Sequence, residues 1–396
     1  VIAGLDEIKD KLGIKDWFDY QRDFYSEMLR RGNRVRECLY YRTGAGKSIT
    51  ALVGLLLVGH TKAVVVTPPS TYAQWEEVAA KLGMTVQCMS HAKFRMKGTK
   101  LDRNTAVIAD EFHMFGGHGG MGWKKLDRLA RGLQAPLILA SATPNYNDAE
   151  RVYCVKHILD PAGTKGGYLA FLYANCVTEQ DPFSQTPKVL GFHQYTGAEE
   201  FLASLPGVHY LPDELVFSIQ EHDVIINIPQ EFYDYGYDRR NHRMVASAME
   251  RTHTEIALKA IDEYGFLDVQ IHKTLDDLIN SASGSVLVFA NHATVATAVD
   301  RSRAAAGQCS ELVHGGMSTK QKAAVLASFK RREFPVLVGT ASLATGTDGL
   351  DKMCDTLIIL DDTNDDALRR QLIGRIMPRG ADADASKKTV HRINLL

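Results

Sequence analysis

Four short apolar runs in the first third of the chain each lead straight into a polar motif, and this repeated juxtaposition constrains the fold more than any other property. Cys38–Tyr41 precedes TGAGKS (Thr43–Ser48), Ala63–Thr67 precedes PPSTYAQW, Thr105–Ala109 precedes DEFH (Asp110–His113), and Pro136–Ala140 precedes SATP. With a fifth run at Val86–Met89, these strand-like stretches alternate with helix-like ones, which predicts a parallel sheet covered by helices on both faces. Ligands of open α/β sheets bind beyond the carboxyl ends of the strands, so all four motifs should converge on one sheet edge. A second alternating region begins near Ser285, with runs at Val286–Ala290, Glu311–Val313, Pro335–Val338, Thr356–Leu360 and Thr389–Ile393. Between them, Asn145 to about Asn280 reads as more helical and less regular, and VIINIP (Val224–Pro229) reads as the strand entering a second domain. The expected division is therefore 1–228 and 229–396, a comfortable size for two α/β domains. FGGHGGMG (Phe115–Gly122) carries five glycines and is expected to be a mobile loop.

Charge decides what kind of polyanion site such a chain can have. Lys and Arg number 46 against 47 Asp and Glu, a formal net charge of −1, so any site for nucleic acid must be a local patch. A hydrophobic content of 45% with 23% charged residues is that of a soluble globular protein. The six cysteines form no Cys-x-x-Cys pair, which speaks for buried thiols in a reducing, intracellular and cytoplasmic setting and against a zinc site. The longest apolar run, Ala51–Gly59, is too short to span a bilayer, so no membrane role is expected. VIAGLDEIKD is not a signal peptide, and its initial Val leaves a trimmed start open.

TGAGKS sits where a P-loop must sit, after a strand and before the helix-like run Ser48–Val58. Gly44 and Gly46, around Ala45, let backbone N–H groups turn toward phosphate oxygens, with Thr43 opening the loop. Lys47 supplies a point charge, the Ser48 hydroxyl can bind Mg²⁺, and the helix start adds positive potential. The full G-x-x-x-x-G-K-[ST] pattern is not met, because Tyr41 stands where the first glycine would be; the bland alternative is a Gly-rich turn before an ordinary helix. Asp110 and Glu111 end the apolar strand VIADE, where paired carboxylates are costly without a cation or a proton. Asp110 is thus a candidate Mg²⁺ ligand, through water, and Glu111 a candidate polariser of the attacking water; a solvent-facing polar strand end is the alternative. His113 more often has a structural than a chemical role in such a position.

In this order the motifs resemble superfamily 2 helicase-type motors of the DExH-box kind. TGAGKS is similar to motif I, DEFH to motif II, SAT (Ser141–Thr143) to motif III, SLATGTDGLD (Ser342–Asp351) to motif V and QLIGR (Gln371–Arg375) to motif VI. The connecting text is similar to Swi/Snf-type translocases and phage-type minimal motor cores: FDYQRDF (Phe18–Phe24), TPPSTYAQW (Thr67–Trp75), SATPNYNDAERV, FLYANC (Phe171–Cys176), and HGGMSTKQKAAVLASF (His314–Phe329) with Lys322 in place of the usual arginine. The resemblance implies two RecA-like domains with a nucleotide cleft between them, ATP with Mg²⁺ as cofactor, and Gln21 on the adenine. It implies coupling through Ser141 and Thr143, nucleotide contacts at Gly346 and Asp348, and catalytic roles for Gln371 and Arg375. An arginine such as Arg375 neutralises charge on the transferred phosphoryl group, a finger supplied within the chain. Motif VI departs from the family pattern, since Pro378 occupies the place of its second arginine and Arg379 follows.

Candidate phosphate-tracking residues are Ser70, Thr71, Gln74, Ser90, His91, Asn291, His292, Thr340 and Ser342, hydroxyls, amides and imidazoles beyond strand ends. Arg30–Arg36 and Lys330–Arg332 could add attraction, and Trp75 and Trp123 could stack on bases, although burial is the better reading for Trp75. The resulting expectation is an ATP-dependent motor, a monomeric core acting on duplex or branched DNA, with targeting left to a protein partner or to the stretch Thr178–Val216. An RNA helicase is the rival in the same class. An ATP-gated clamp with little turnover is the rival outside it, and intact Lys47, Asp110, Glu111 and Arg375 argue against that one.

Overall fold

A computed structural model of the chain describes residues 4–32, 35–42, 44–142, 149–180, 186–211, 219–226, 237–238, 243–244, 269–343, 349–360, 366–377 and 386–395. The chain divides into two compact units, Val1–Asp213 and Glu214–Leu396.

The first unit opens with helices α1 (Leu5–Leu12) and α2 (Asp19–Arg31) and continues through β1 (Arg36–Tyr41), α3 (Lys47–Leu57), β2 (Lys62–Val66), α4 (Tyr72–Lys81), β3 (Thr85–Met89), α5 (His91–Arg95) and β4 (Ala106–Asp110). It ends with α6 (Met121–Gly132), β5 (Leu137–Ser141), α7 (Ala149–Leu159), α8 (Gly167–Asn175), β6 (Cys176–Glu179), β7 (Lys188–Phe192), α9 (Ala198–Ala203) and β8 (Val208–Leu211). Six strands form one sheet in the order β3-β2-β4-β5-β1-β8, and every pairing is parallel. Alternation along the strands feeds two cores. Cys38, Val107, Leu137 and Leu139 face one layer, while Leu39, Ile108, Ile138 and Ala140 face the other. A strand buried on both faces must be apolar at nearly every position, which is why these runs stand out in the sequence.

The second unit contains β9 (Gln220–Ile226), a two-residue antiparallel ladder of β10 (Tyr237–Asp238) with β11 (Arg243–Met244), then α10 (Val269–Ser281), β12 (Ser285–Phe289), α11 (Ala293–Ala305) and β13 (Ser310–Val313). It closes with α12 (Thr319–Lys330), β14 (Val336–Gly339), β15 (Cys354–Ile359), α13 (Asp366–Ile376) and β16 (Thr389–Leu395). Its sheet runs β13-β14-β12-β15-β16-β9, again parallel throughout, with Val286 and Val288 on one face and Leu287 and Phe289 on the other. Among the described residues no helix is long and apolar enough to cross a membrane.

Three findings differ from the sequence reading. The strand around VIINIP begins at Gln220 and pairs with β16, so the observed division lies ahead of residue 228. The region read as helical also holds the antiparallel pair β6–β7 and the sheet strand β8, so Thr178–Val216 is partly core and not a separate appendage. The glycine-rich loop is packed. His118 Nδ1 meets Glu150 Oε1 at 2.5 Å, a Cβ on Gly117 would fall 2.3 Å from the Glu150 carboxyl, and one on Gly122 would fall 2.5 Å from the Phe115 carbonyl oxygen. Gly117 and Gly122 thus answer to close approach, and Gly116 to a φ of 84°.

Candidate nucleotide site

β1 ends at Tyr41 and α3 begins at Lys47, and the turn between them needs glycine: Gly44 has φ 81° and Gly46, which caps α3, has φ 74°. Both values lie in the left-handed region that other residues enter only at a cost. Lys47 Nζ donates to the carbonyls of Tyr41 (3.1 Å) and Arg42 (3.3 Å), which holds the ammonium against the end of β1. Ser48 lies in the first turn of α3. Helix α2 braces the turn from below. Tyr20 donates its hydroxyl to the Ala45 carbonyl at 3.0 Å, and Gln21 donates Nε2 to Thr50 Oγ1 at 3.0 Å while Oε1 accepts the Phe18 N–H at 3.2 Å. A Cβ on Gly46 would lie 3.3 Å from Gln21 Nε2. Gln21 is 4% exposed, so its amide supports the loop, and an adenine contact would have to use the second N–H or the remaining lone pair of Oε1.

Asp110 is the last residue of β4 and only 7% exposed. Its Oδ2 accepts from Thr67 Oγ1 at 2.7 Å and from Trp75 Nε1 at 3.3 Å, and Oδ1 has no hydrogen-bond partner among the described residues. Burial first and the neighbouring Glu111 second push its carboxyl up to about 6, against the opposing pull of Thr67, Lys47 and Trp75. Thr67 Oγ1, its own proton on Asp110, accepts from Thr71 Oγ1 at 2.5 Å, so the Thr71 hydroxyl shares its one proton between Thr67 and the Pro68 carbonyl at 2.8 Å. Glu111 takes up φ 46° and ψ 55°, an uncommon backbone for a residue with a Cβ, and caps the 3₁₀ turn Phe112–Phe115. Its Oε2 accepts from Ser141 Oγ at 3.0 Å, and Ser141 Oγ is 3.1 Å from His113 Nδ1. Because the serine has one proton and gives it to the carboxylate, His113 Nδ1 is the donor in the second bond. Motifs II and III are therefore joined through Glu111, Ser141 and His113.

These residues fit Mg²⁺. A buried carboxylate with one oxygen unpartnered, and the Ser48 hydroxyl in the first turn of α3, are the hard oxygen donors that ion prefers.

Several expected contacts resolve differently. His91 is 3% exposed and donates Nε2 to the Asp110 carbonyl at 2.9 Å; burial holds its basicity below that of a free imidazole, and it cannot present a surface to a strand. Ser90 caps α5 by accepting the Lys93 N–H. Trp75 and Trp123 are both buried, which removes them as base-stacking platforms. Of the cluster Arg30–Arg36, Arg30 and Arg31 pair with Glu27, Arg31 also with Glu37, and Arg36 with the carbonyls of Ala130, Leu133 and Ala135, while Arg34 lies outside the described residues. Ser70 and Gln74 remain exposed at the start of α4, while Thr71 is half-buried in the hydroxyl chain. In the second unit Asn291 and His292 are half-buried between β12 and α11. Thr340 and Ser342 follow β14 with their hydroxyls 3.4 Å apart. Gln371 and Arg375 lie buried on α13. Thr43, Thr143, Gly346, Asp348 and Arg379 lie outside the described residues. Thr67 and the indole N–H of Trp75 are site residues that the sequence did not disclose. Their roles depend on β2 lying beside β4, an adjacency visible only in the sheet.

Residues 270–380 match the helicase conserved C-terminal domain. Among solved structures, the chain is similar to S. cerevisiae Dbp5 bound to RNA and ADP BeF3, at 15% identity and a TM-score of 0.60, covering 98% of this chain and 86% of that one. It is also similar to S. cerevisiae dbp5 l327v bound to gle1 h337r and ip6, at 14% identity and a TM-score of 0.57, covering 100% of this chain and 86% of that one. No curated protein matches the chain. The fold is that of two RecA-like α/β domains, and the match over residues 270–380 is to a helicase domain.

Proposed function

We propose that the chain is an ATP- and Mg²⁺-dependent helicase-type motor on nucleic acid. The observation that carries this reading is the gathering of Lys47, Asp110 and a conformationally strained Glu111 beyond the strand ends of one parallel sheet. Lys47 exchanges its two carbonyl partners for phosphate oxygens. Asp110 and Ser48 would hold Mg²⁺, which would offset charge on the terminal phosphates. Glu111 orients the attacking water, and Ser141 fixes the carboxylate that does so. Arg375 of the second unit serves as the arginine finger, with Gln371 beside it on the same helix.

RNA is the polymer favoured by the likeness to an RNA-bound structure. Duplex or branched DNA is a second reading, supported by the Swi/Snf-like text of TPPSTYAQW and SATPNYNDAERV alone. A protein partner for targeting is consistent with the partner-bound relative. ATP turnover measured alone and with single-stranded RNA, single-stranded DNA and blunt duplex DNA decides between them, with Glu111→Gln as the control that binds ATP without turnover. Stimulation by RNA alone supports the first reading and stimulation by duplex DNA the second. A chain that hydrolyses ATP with none of these is not a motor.

A further inference from the structure

The two hydrogen bonds on Asp110 come from one short stretch of chain. Thr67 directly follows β2, and Trp75 lies in the first turns of α4. Between them runs the 3₁₀ turn Pro69–Thr71, whose Pro69 and Ser70 are exposed, as is Gln74 one residue before the tryptophan. Thr71 ends that turn and its hydroxyl touches Thr67, so the exposed turn is tied to the carboxylate by two routes. One runs Thr71–Thr67–Asp110 through hydroxyls, and the other runs along α4 to the Trp75 N–H. Both arrive at Oδ2, so together they fix the rotation of the carboxylate and hence the direction of Oδ1, the oxygen left for the cation. Among the described residues nothing else hydrogen-bonds this side chain.

We propose that Thr67 and Trp75 are positioning residues through which a polynucleotide backbone pressed on the Pro69–Thr71 turn sets the aim of Asp110, so that occupancy of the turn is read out as hydrolysis. This rests on the motor reading above. A phosphate hydrogen-bonded to the Ser70 hydroxyl or the Gln74 amide draws on the same turn that anchors Thr71. A small rotation of a carboxylate displaces its oxygens enough to alter metal geometry, because Mg²⁺ tolerates little departure from octahedral coordination.

The test uses the full chain and takes the ratio of ATP turnover with a saturating stimulating polymer to turnover without it. Polymer affinity is measured separately by fluorescence anisotropy. Thr67→Val keeps the shape and removes the hydroxyl; Trp75→Phe keeps an aromatic ring and removes the N–H. Each should cut the stimulation ratio by about tenfold, the rate equivalent of one hydrogen bond to a charged group, with polymer affinity retained. Thr67→Ser should restore the ratio. A role confined to stability would lower both rates in proportion and leave the ratio at the wild-type value, and that result overturns the coupling. If Trp75→Phe does not fold, Thr67→Val with its Ser rescue decides alone. A wild-type chain that turns over no ATP with any polymer overturns the motor reading and the coupling with it; wild-type stimulation with unchanged ratios in the variants overturns the coupling only.

Discussion

Burial and the Glu111 charge raise the Asp110 carboxyl to about 6, and the sign of the consequence for stability follows from which state holds the proton more tightly. The folded protein binds it more tightly than the unfolded chain, whose aspartate keeps its ordinary value near 3.8. Stability contributed by this site is therefore highest below the ordinary value, declines as pH rises through about 6, and stays at its low level above. Asp110→Asn removes the penalty of a buried charge while its amide oxygen still accepts from Thr67 and Trp75. The variant should gain on the order of 1–3 kcal/mol at pH 7.5, lose the pH dependence between 4 and 6, and hydrolyse no ATP. Denaturant melts of both proteins across that pH range check it, and a variant less stable than wild type at pH 7.5 refutes it. A variant that gains stability marks Asp110 as a functional group kept at a cost to stability.

Helix α3 carries Lys47 and Ser48, so anything that moves it moves the phosphate site. Its Gly54 lies against α2, where an added Cβ would fall 2.5 Å from Phe24 Cε1 and 3.3 Å from Met28 Cγ. Alanine in a helix interior is worth up to about 1 kcal/mol over glycine, whereas overpacking a closed core costs roughly 1–3 kcal/mol. Phe24 has no exposed surface and no room to retreat, so the clash should win. Gly54→Ala is expected to lower the melting temperature and weaken ATP binding together; unchanged ATP affinity in the folded variant would separate α3's packing from its function. The same scale shows what could be read from the sequence. Runs such as VIADE and SVLVF were legible because a strand covered on both faces has no polar alternation to blur it. The strand VHYL at the end of the first sheet was not, since its four residues are all half-buried and it sits in a stretch with helical character. At the site, motif spacing pointed to Lys47, Asp110 and Glu111, and the fold places Lys47 at the start of α3 and the two carboxylates at the end of β4. His91 and Trp75 were misread or half-read because their partners on β4 are distant in sequence: His91 reaches the Asp110 carbonyl and Trp75 its carboxylate.

For the whole molecule, the decisive question is whether chemistry in the first unit depends on a residue of the second. Arg375, on a helix within the matched helicase C-terminal domain, is the residue to ask it of. If it is the finger, Arg375→Ala should reduce polymer-stimulated turnover by on the order of a thousandfold with ATP binding little changed, as measured by nucleotide titration beside steady-state rates. A loss of only a few-fold would assign the transition-state charge to another group.

The order of strands in the second sheet also has a consequence in time. β16 is inserted between β15 and β9, so residues 389–395 fill an interior position that residues 220–226 have waited for since they were made. While the chain is being synthesised, the sheet stands with an unfilled slot: β9 has no parallel neighbour, and one edge of β15 is open. Of the six strands of this sheet, β16 is the last to be synthesised, and it is the one that locks β9 into the unit. Until it arrives the nascent protein exposes two unpaired strand edges, the kind of surface that chaperones bind and that aggregates when they do not.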